Sequence, residues 1–241
     1  MIKYCQINKF FDVTPVLHEL QQFDDAFWKL HFQVKHYSGN WSALPLRSIG
    51  GDVNNTFIAP NEAPVYADTI FLQQCPSIQK VLSFFECELL AVRLLKLAAG
   101  TIIHEHKDAD LCVEDGLVRF HIPIQTNNKV SFNLDGTLLK LDVGSCWYMN
   151  FTLPHALKNE GNDDRIHLVI DAFANEWVQQ LFTTPQYLQI KESATPEKFD
   201  VAAQLEIIKN LRLQQTPIGH QLADDMEKAL QQKLNIGPHS K

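Results

Sequence analysis

Two histidines and one aspartate, His106, Asp108 and His155, are the residues of this 241-residue chain whose types and spacing most directly predict chemistry. The His-x-Asp pair supplies an imidazole and a carboxylate from neighbouring positions of one strand, and the distant histidine adds a third ligand. Two histidines and a carboxylate on one face of a metal ion leave its opposite face open, as non-haem Fe(II) oxygenases require. We therefore predict that these three residues ligate Fe(II).

Two segments with the pattern Arg-apolar-His-apolar-x-Ile begin at Arg119 and at Arg165. Because alternate residues of a strand face the same side, each segment turns its arginine and histidine to one face. An inward arginine in so apolar a strand needs an anionic partner, and a guanidinium binds a carboxylate through two hydrogen bonds. We expect both strands to line one pocket, with Arg165 holding a second, dianionic molecule. A metal triad with such an arginine indicates a 2-oxoglutarate-dependent dioxygenase.

Two further residues leave alternatives open. His104 falls on the same face of the predicted strand as His106 and Asp108, so His104, His106 and His155 could form a three-histidine cupin site with different chemistry. We prefer His104 as a pocket residue, since Fe(II) favours mixed nitrogen and oxygen ligands. Arg47 is a candidate for binding a substrate carboxylate, and a solvated loop arginine is the alternative interpretation.

The elements around these residues predict a mostly β protein with flanking helices. Residues 1–86 are interpreted as a helical and loop region, with helical spacing over 14–35 and loops with edge strands over 36–60. Residues 87–174 are short β-like runs separated by turns, of which Asp135-Gly136 is the strongest hairpin signal. This spacing predicts a double-stranded β-helix, the jelly-roll or cupin-like core.

Residues 175–241 are predicted to be helical, with helices over about 175–182, 195–213 and 220–234. The last two carry apolar stripes, and we favour packing on the barrel with a role in a homodimer over the alternative of a lid. A net charge of −7 argues against nucleic-acid binding. No signal segment or membrane-length apolar run occurs, and five cysteines without a Cys-x-x-Cys pair suit a reducing compartment, so we expect a cytoplasmic protein.

From Gly100 to Phe173 the chain resembles the aspartyl/asparaginyl β-hydroxylase family of Fe(II)/2-oxoglutarate dioxygenases. The resemblance is carried by His106 ahead of Arg119-x-His121, the run Gly144-x-Cys146-Trp147-Tyr148-Met149-Asn150 before His155, and Arg165 at the start of the final strand. It implies that His106 and His155 bind iron and that Arg165 holds the distal carboxylate of 2-oxoglutarate, with Arg119 and His121 near its other end. It also implies Fe(II), 2-oxoglutarate and O2 as cofactors, with ascorbate as the assay reductant.

The family's animal members, which modify peptides, look as if they have glycine where this chain has Asp108. The aspartate is similar to the bacterial L-proline cis-4-hydroxylase branch, which also shares a Trp-to-Leu-Arg arrangement near Trp41, Leu46 and Arg47. The resemblance therefore implies hydroxylation of a free amino acid that is proline-, asparagine- or aspartate-like, with Trp41, Arg47 and His104 as candidate substrate residues. A peptidyl aspartyl/asparaginyl β-hydroxylase and a non-catalytic cupin-like small-molecule binding protein are the alternatives.

Overall fold

A computed structural model describes residues 1–59, 64–108 and 111–184, the backbone of 187–190, and single positions between 205 and 231. The chain divides into two compact units, Met1–Lys191 and Glu192–Lys241. In its described part, no helix is long and apolar enough to cross a membrane.

The first unit is built mainly of strands, with four short helices among its described residues. In chain order its elements are β1 (Ile2–Phe10), α1 (Thr14–Leu20), β2 (Lys29–Leu30), β3 (Tyr37–Ser38), β4 (Trp41–Ile49), β5 (Tyr66–Asp68), α2 (Ile70–Gln73), α3 (Pro76–Leu82), β6 (Leu89–Leu97), β7 (Ile102–His106), β8 (Leu117–Gln125), β9 (Val130–Leu134), β10 (Thr137–Leu139), β11 (Ser145–Met149), β12 (His155–Asn159), β13 (Arg165–Phe173), α4 (Glu176–Leu181) and β14 (Tyr187–Ile190).

The strands form two antiparallel sheets. The larger has the order β14-β1-β11-β8-β13-β6-β4-β2, with β5 paired to β4, and the smaller has the order β10-β9-β12-β7-β3. Side chains from both sheets, among them Trp41, Leu95, Phe132 and Leu157, pack into one buried cluster, so this part of the core lies between the sheets. The architecture is the predicted mostly β double-stranded β-helix.

The other face of the larger sheet is covered by α1, α2 and α3. Val16, Phe71 and Ile78 from these helices join a second buried cluster with sheet residues such as Leu44 and Phe120. Strand β8 shows how one strand serves both sides: Phe120 and Ile122 belong to this helix-side cluster, whereas the intervening residues turn toward the smaller sheet. Helix packing on one face leaves the opposite face of β8 and β13 free to carry polar side chains.

The description of residues 1–86 as helices and loops with edge strands is wrong in two respects: β1 is a long strand where the sequence predicts none, and β4 is not an edge strand. β1 pairs with β11, and β4 pairs with β6 in the interior of the larger sheet. Proline is tolerated within β4 because the register shifts between Pro45 and Arg47, and a proline at a bulge removes no ladder hydrogen bond. A boundary near residue 87 therefore does not separate the sheet from what precedes it.

The helix indicated by the apolar spacing over residues 14–35 is shorter in the structure. α1 ends at Leu20, and the Asp24 carboxylate then accepts a hydrogen bond from the Ala26 N–H at 2.8 Å, which starts a short 3₁₀ turn. An aspartate that bonds its own neighbouring backbone competes with helix continuation. Apolar side chains beyond it, including Phe27 and Phe32, are exposed and do not form a helical stripe.

The predicted helix at residues 175–182 is confirmed as α4, which begins after Asn175, whose side-chain oxygen accepts from the Val178 N–H. The predicted helices over 195–213 and 220–234 lie largely outside the described residues. The positions described there are helical, and in the second unit Ile208, Ala223 and Leu230 are buried together.

Candidate active site

The two histidines of the predicted triad face each other across two neighbouring strands. His155 of β12 is the cross-strand partner of His106 of β7, and their ring centroids lie 4.2 Å apart. The Nδ1 atom of His106 lies 2.8 Å from the His104 carbonyl, and that of His155 lies 3.0 Å from the Leu153 carbonyl. Donating Nδ1–H to a carbonyl leaves the Nε2 lone pair of each ring free to bind a metal.

Asp108 completes the triad immediately after β7. Its backbone N–H donates to the Phe151 carbonyl at 2.9 Å, which fixes the backbone position from which the Asp108 side chain extends. The Asp108 Oδ1 atom lies 3.7 Å from His106 Nε2, and one ligand atom from each of the three residues lies within 4.8 Å of the others. Burial lowers the pKa of His155 to about 4, so this imidazole is neutral at pH 7, as a metal ligand must be. The donor set fits a divalent transition-metal ion.

The triad opens into a cavity of about 450 Å³ between the two sheets. Aromatic side chains, including Trp41, Phe57 and Phe151, form much of its wall, and three arginines, Arg93, Arg119 and Arg165, also reach it. A largely apolar cavity with a few convergent charged groups is typical of a small-molecule site.

Arg165 carries a buried charge that no acidic group among the described residues balances. Arg165 is 3% exposed, its Nη2 lies 2.9 Å from His167 Nδ1, and its Nε has no hydrogen-bond partner among the described residues. Burial lowers the pKa of Arg165 to about 9, still high enough for the guanidinium to be charged at pH 7. A buried cation without a counter-ion is costly, so this arginine fits a ligand carboxylate.

His121 adds a second unsatisfied polar group to the same cavity. Both of its ring nitrogens are buried without a partner in the part of the chain that the structure describes, and its ring stacks on Phe151 at 5.1 Å. Burial, followed by the nearby Arg165, holds the pKa of His121 well below its usual value. A neutral imidazole can donate one hydrogen bond to a ligand and accept another.

A buried network of two arginines and two aspartates lies beside the triad. Asp171 accepts from Arg119 Nε at 2.5 Å and from Arg119 Nη2 at 3.3 Å, and it also accepts from Arg93 Nη2. Arg119 Nη1 donates to Asp108 Oδ2 at 3.0 Å, while Arg93 Nη1 donates to the Thr56 carbonyl at 2.6 Å. Burial opposes the charge of Arg119, but the two carboxylates outweigh it and raise the pKa of Arg119.

The profile of the aspartyl/asparaginyl β-hydroxylase family matches residues 12–175. The chain belongs to this family. A curated relative, the L-proline cis-4-hydroxylase of Rhizobium meliloti (strain 1021), is 24% identical over 168 residues, and the match spans 66% of this chain and 59% of that protein.

Solved structures are similar at lower sequence identity. The non-haem α-ketoglutarate-dependent epimerase SnoN from nogalamycin biosynthesis matches with a TM-score of 0.45 and 9% identity over 71% of this chain and 76% of its own. The non-haem monooxygenase ThoJ in complex with nickel matches with a TM-score of 0.43 and 15% identity over 72% of this chain and 74% of its own.

Within the β-hydroxylase fold, Arg119 does not have the free guanidinium that the sequence suggests. All three of its nitrogens donate to carboxylates, two to Asp171 and one to Asp108. It borders the cavity, but its charge is already balanced there. The expectation that Arg119 faces one end of 2-oxoglutarate is therefore replaced by a contact with a predicted metal ligand.

Of the three candidate substrate residues, Trp41, Arg47 and His104, one lines the cavity and two do not. Trp41 lines the cavity and stacks on His31, with ring centroids 3.5 Å apart and an interplanar angle of 10°. Arg47 does not line it: past the register shift in β4, its guanidinium bonds the Asp68 carboxylate at 2.6 Å and the carbonyls of Tyr66 and Leu89. The structure therefore does not bring Arg47 to the cavity of the triad, and Asp68 balances its charge.

His104 is also displaced from the site. The pairing of β7 with β12 is irregular near His104. His106 and Ile103 are three residues apart, whereas their partners His155 and Leu157 are two residues apart, so β7 contains one extra residue there. A bulge of this kind breaks the alternation of faces, so His106 turns to the cavity while His104 is exposed and contacts Ser38 Oγ at 3.0 Å. Among the described residues, the group that could hold a metal is therefore His106, Asp108 and His155, and the structure does not bring His104 to it.

Arg93 and Asp171 are site residues that the sequence reasoning missed, although a signal was present. Each is a charged residue flanked on both sides by apolar residues, in LLAVRLLKL of β6 and RIHLVIDAF of β13. Asp171 also falls on the same alternating face as Arg165 and His167. A charge in such a strand must be paired inside the fold, so two of opposite sign predict a buried pair.

Proposed function

We propose that the protein is an Fe(II)- and 2-oxoglutarate-dependent dioxygenase that hydroxylates an unactivated C–H bond of a free amino acid. One observation carries the proposal: a two-histidine, one-carboxylate set shares its cavity with Arg165, a buried cation that lacks an acidic partner among the described residues. Such a triad leaves coordination positions open, and such an arginine suits the far carboxylate of a dianionic co-substrate.

His106, Asp108 and His155 would hold Fe(II), and Arg165 would hold the distal carboxylate of 2-oxoglutarate. Fe(II), 2-oxoglutarate and O2 together supply the oxidation, in which one oxygen atom enters the substrate C–H bond and the other enters succinate as CO2 leaves. The chain's own contribution is orientation and exclusion of water. His121, with two free ring nitrogens beside Arg165, is suited to hydrogen-bond the co-substrate and keep it in one pose.

A free amino acid suits the remaining groups in the cavity. Arg93 is buried there with its Nε unpartnered, which offers one charge-assisted hydrogen bond to a substrate carboxylate. Trp41, held flat against His31, offers an apolar face for the aliphatic part of a proline-like molecule. The curated relative named for L-proline hydroxylation supports the same class, as does the presence of Asp108.

A peptidyl aspartyl/asparaginyl β-hydroxylase is the second candidate, because the cavity wall includes two exposed aromatic side chains. Phe32 is 53% exposed and Phe57 is 45% exposed, and their rings meet edge to face at 6.2 Å. Exposed apolar surface beside a pocket is a common feature of sites that bind larger ligands. A peptide would cover these rings, whereas a free amino acid would not reach both.

The test is a succinate-release screen with Fe(II), ascorbate and 2-oxoglutarate against free amino acids and short peptides, with mass detection of a gain of one oxygen. We expect one or more free amino acids to give both succinate and a product heavier by one oxygen, with His155→Ala giving neither. Product from peptides alone would select the peptidyl candidate. Binding of metal and 2-oxoglutarate with no succinate from any substrate would favour a non-catalytic small-molecule binding protein.

A further inference from the structure

Arg119 is shared between two carboxylates that differ in burial and in function. Its Nε and Nη2 donate to Asp171, which is 1% exposed, and its Nη1 donates to Asp108, whose side chain is 18% exposed. A guanidinium is rigid and planar, so the double contact with Asp171 fixes the direction in which Nη1 points. Asp171 thereby determines where Arg119 meets Asp108.

The contact with Arg119 also separates the two oxygens of Asp108. Oδ2 accepts from Arg119 at 3.0 Å, whereas Oδ1 lies toward the histidines, 3.7 Å from His106 Nε2. One oxygen is therefore held by the protein while the other remains available to a metal. Without that restraint, a partly exposed aspartate just beyond the end of β7 could rotate toward solvent at little cost.

We propose that Asp171 is a positioning residue for the metal centre: by fixing Arg119, it holds Asp108 in the orientation that presents a single oxygen beside His106 and His155. This inference rests on the assignment of the triad as a metal site in the proposed function. Asp171 touches neither the triad nor a ligand directly and acts through Arg119.

Arg93 provides a control that distinguishes a positioning role of Asp171 from a purely structural one. Arg93 also donates to Asp171, but its other contact is the Thr56 carbonyl, and it makes no hydrogen bond to Asp108. Loss of Arg93 removes a buried ion pair from the same carboxylate while leaving the Arg119 bridge to Asp108 in place. If Asp171 acts only through its charge, Asp171→Asn makes the surroundings of the triad more positive and Arg93→Gln makes them less positive, so the two variants should shift the affinity for a cation in opposite directions.

The experiment measures the affinity of the full chain for Mn(II) alone, from the electron paramagnetic resonance signal of the free ion. Asp171→Asn, which keeps the shape but loses the charge, should weaken Mn(II) binding by about 10- to 100-fold, the range typical of lost outer-shell partners. Arg93→Gln should change the Mn(II) affinity by less than about 3-fold, even where its unfolding temperature falls as far as that of Asp171→Asn. A gain in Arg93→Gln of about the same size as the loss in Asp171→Asn, equal losses in both variants, or no loss in Asp171→Asn would overturn the proposal.

A double variant tests whether the effect passes through Asp108. In an Asp108→Ala background, adding Asp171→Asn should change the residual Mn(II) affinity by less than about 3-fold, because the carboxylate to be positioned is gone. A full additional loss would mean that Asp171 acts by another route, and the proposal would be wrong. If Asp171→Asn does not fold, Arg119→Lys is tested in its place. An ammonium keeps the charge but cannot bridge both carboxylates with fixed geometry, so wild-type Mn(II) affinity in that variant would overturn the proposal. None of these measurements needs turnover, so a failure of this proposal can be distinguished from a failure of the hydroxylase assignment.

Discussion

His106 and His155 occupy directly facing positions of two antiparallel strands, and each ring donates through Nδ1 to a backbone carbonyl two residues before it. The two Nε2 atoms are thereby presented together, and the rings of His36 and Phe151 pack edge to face against His106 and His155. Because strand pairing sets the separation and backbone carbonyls set the ring orientation, the histidine half of the site is built by the main chain itself.

The first prediction concerns these two rings. His106→Ala and His155→Ala should each reduce succinate formation by at least about 100-fold, because each removes one of three metal ligands. Loss of a residue that only supports a ligand already lowers metal affinity or activity by about 10- to 100-fold. The unfolding temperature of the metal-free protein should change little, because the buried clusters of the sheets are not touched. The measurement is succinate release beside a thermal melt.

His104→Ala is the matched control for that experiment. His104 lies on the same strand, but it is exposed and contacts Ser38 instead of the cavity. It should keep near wild-type turnover. Loss of activity in His104→Ala together with survival of His155→Ala would reverse the ligand assignment made from the structure.

The sequence predicts the inward side chains where strands alternate without interruption. Arg165, His121 and His155 all reach the cavity as expected, because both faces of β8 and β13 are buried and a one-residue slip would be costly. Arg47 and His104 each lie next to a bulge, which breaks the alternation of faces. Pro45 is a local sequence signal of the bulge in β4, whereas the residues around His104 carry no comparable signal.

Strand β1 and the interior position of strand β4 were not predicted for a different reason. Their partners, β11 and β6, lie far along the chain, and such non-local pairing leaves little trace in local composition. The role of Arg119 was likewise not visible in the sequence. Whether its guanidinium meets a ligand or a carboxylate of the fold depends on Asp171, which is 52 residues away.

The second prediction concerns the cation at the end of the cavity. Arg165→Ala should raise the concentration of 2-oxoglutarate needed for half-maximal turnover far more than that of the amino acid. Loss of a charge-assisted pair in a buried pocket costs on the order of 2–5 kcal/mol, or about 30- to 5,000-fold. The measurement is the dependence of succinate release on 2-oxoglutarate concentration.

Arg47→Ala serves as its control, because Arg47 is a paired arginine whose partner is Asp68 and which lies outside the cavity wall. It should leave the 2-oxoglutarate requirement within about 2-fold of wild type, as surface ion pairs contribute little. An unchanged requirement in Arg165→Ala would move the carboxylate site to another residue.

The third prediction concerns the substrate wall. Trp41→Ala should raise the KM for the amino acid by about 5- to 30-fold, equivalent to about 1–2 kcal/mol of lost apolar and stacking contact, with a smaller change for 2-oxoglutarate. Trp28→Ala removes a similar ring that lies over Lys96 and outside the cavity, so it should leave both values nearly unchanged. A rise in the 2-oxoglutarate requirement alone would place Trp41 at the co-substrate end.

The last prediction concerns the stability of the metal-free protein in acid. Burial lowers the pKa of His155 to about 4 and that of His31 to about 3, and burial together with Arg165 holds the pKa of His121 and of His167 well below normal. In the unfolded chain these imidazoles titrate near ~6.5, so between about pH 6.5 and about pH 4 the unfolded state binds protons that the folded state does not. The free energy of unfolding must therefore fall as the pH falls through this window and be fully present above it.

His155 and His31 each contribute on the order of 1–3 kcal/mol to that fall. Urea unfolding of the metal-free protein at about pH 7.5, 6 and 5 should show the midpoint decreasing steadily, and His31→Gln should flatten the slope by removing one titrating group. Mn(II) should raise the midpoint at neutral pH, because it binds the folded chain through the assembled triad. A midpoint that stays constant from about pH 7.5 to about pH 5 would mean that these rings do not remain neutral in the fold.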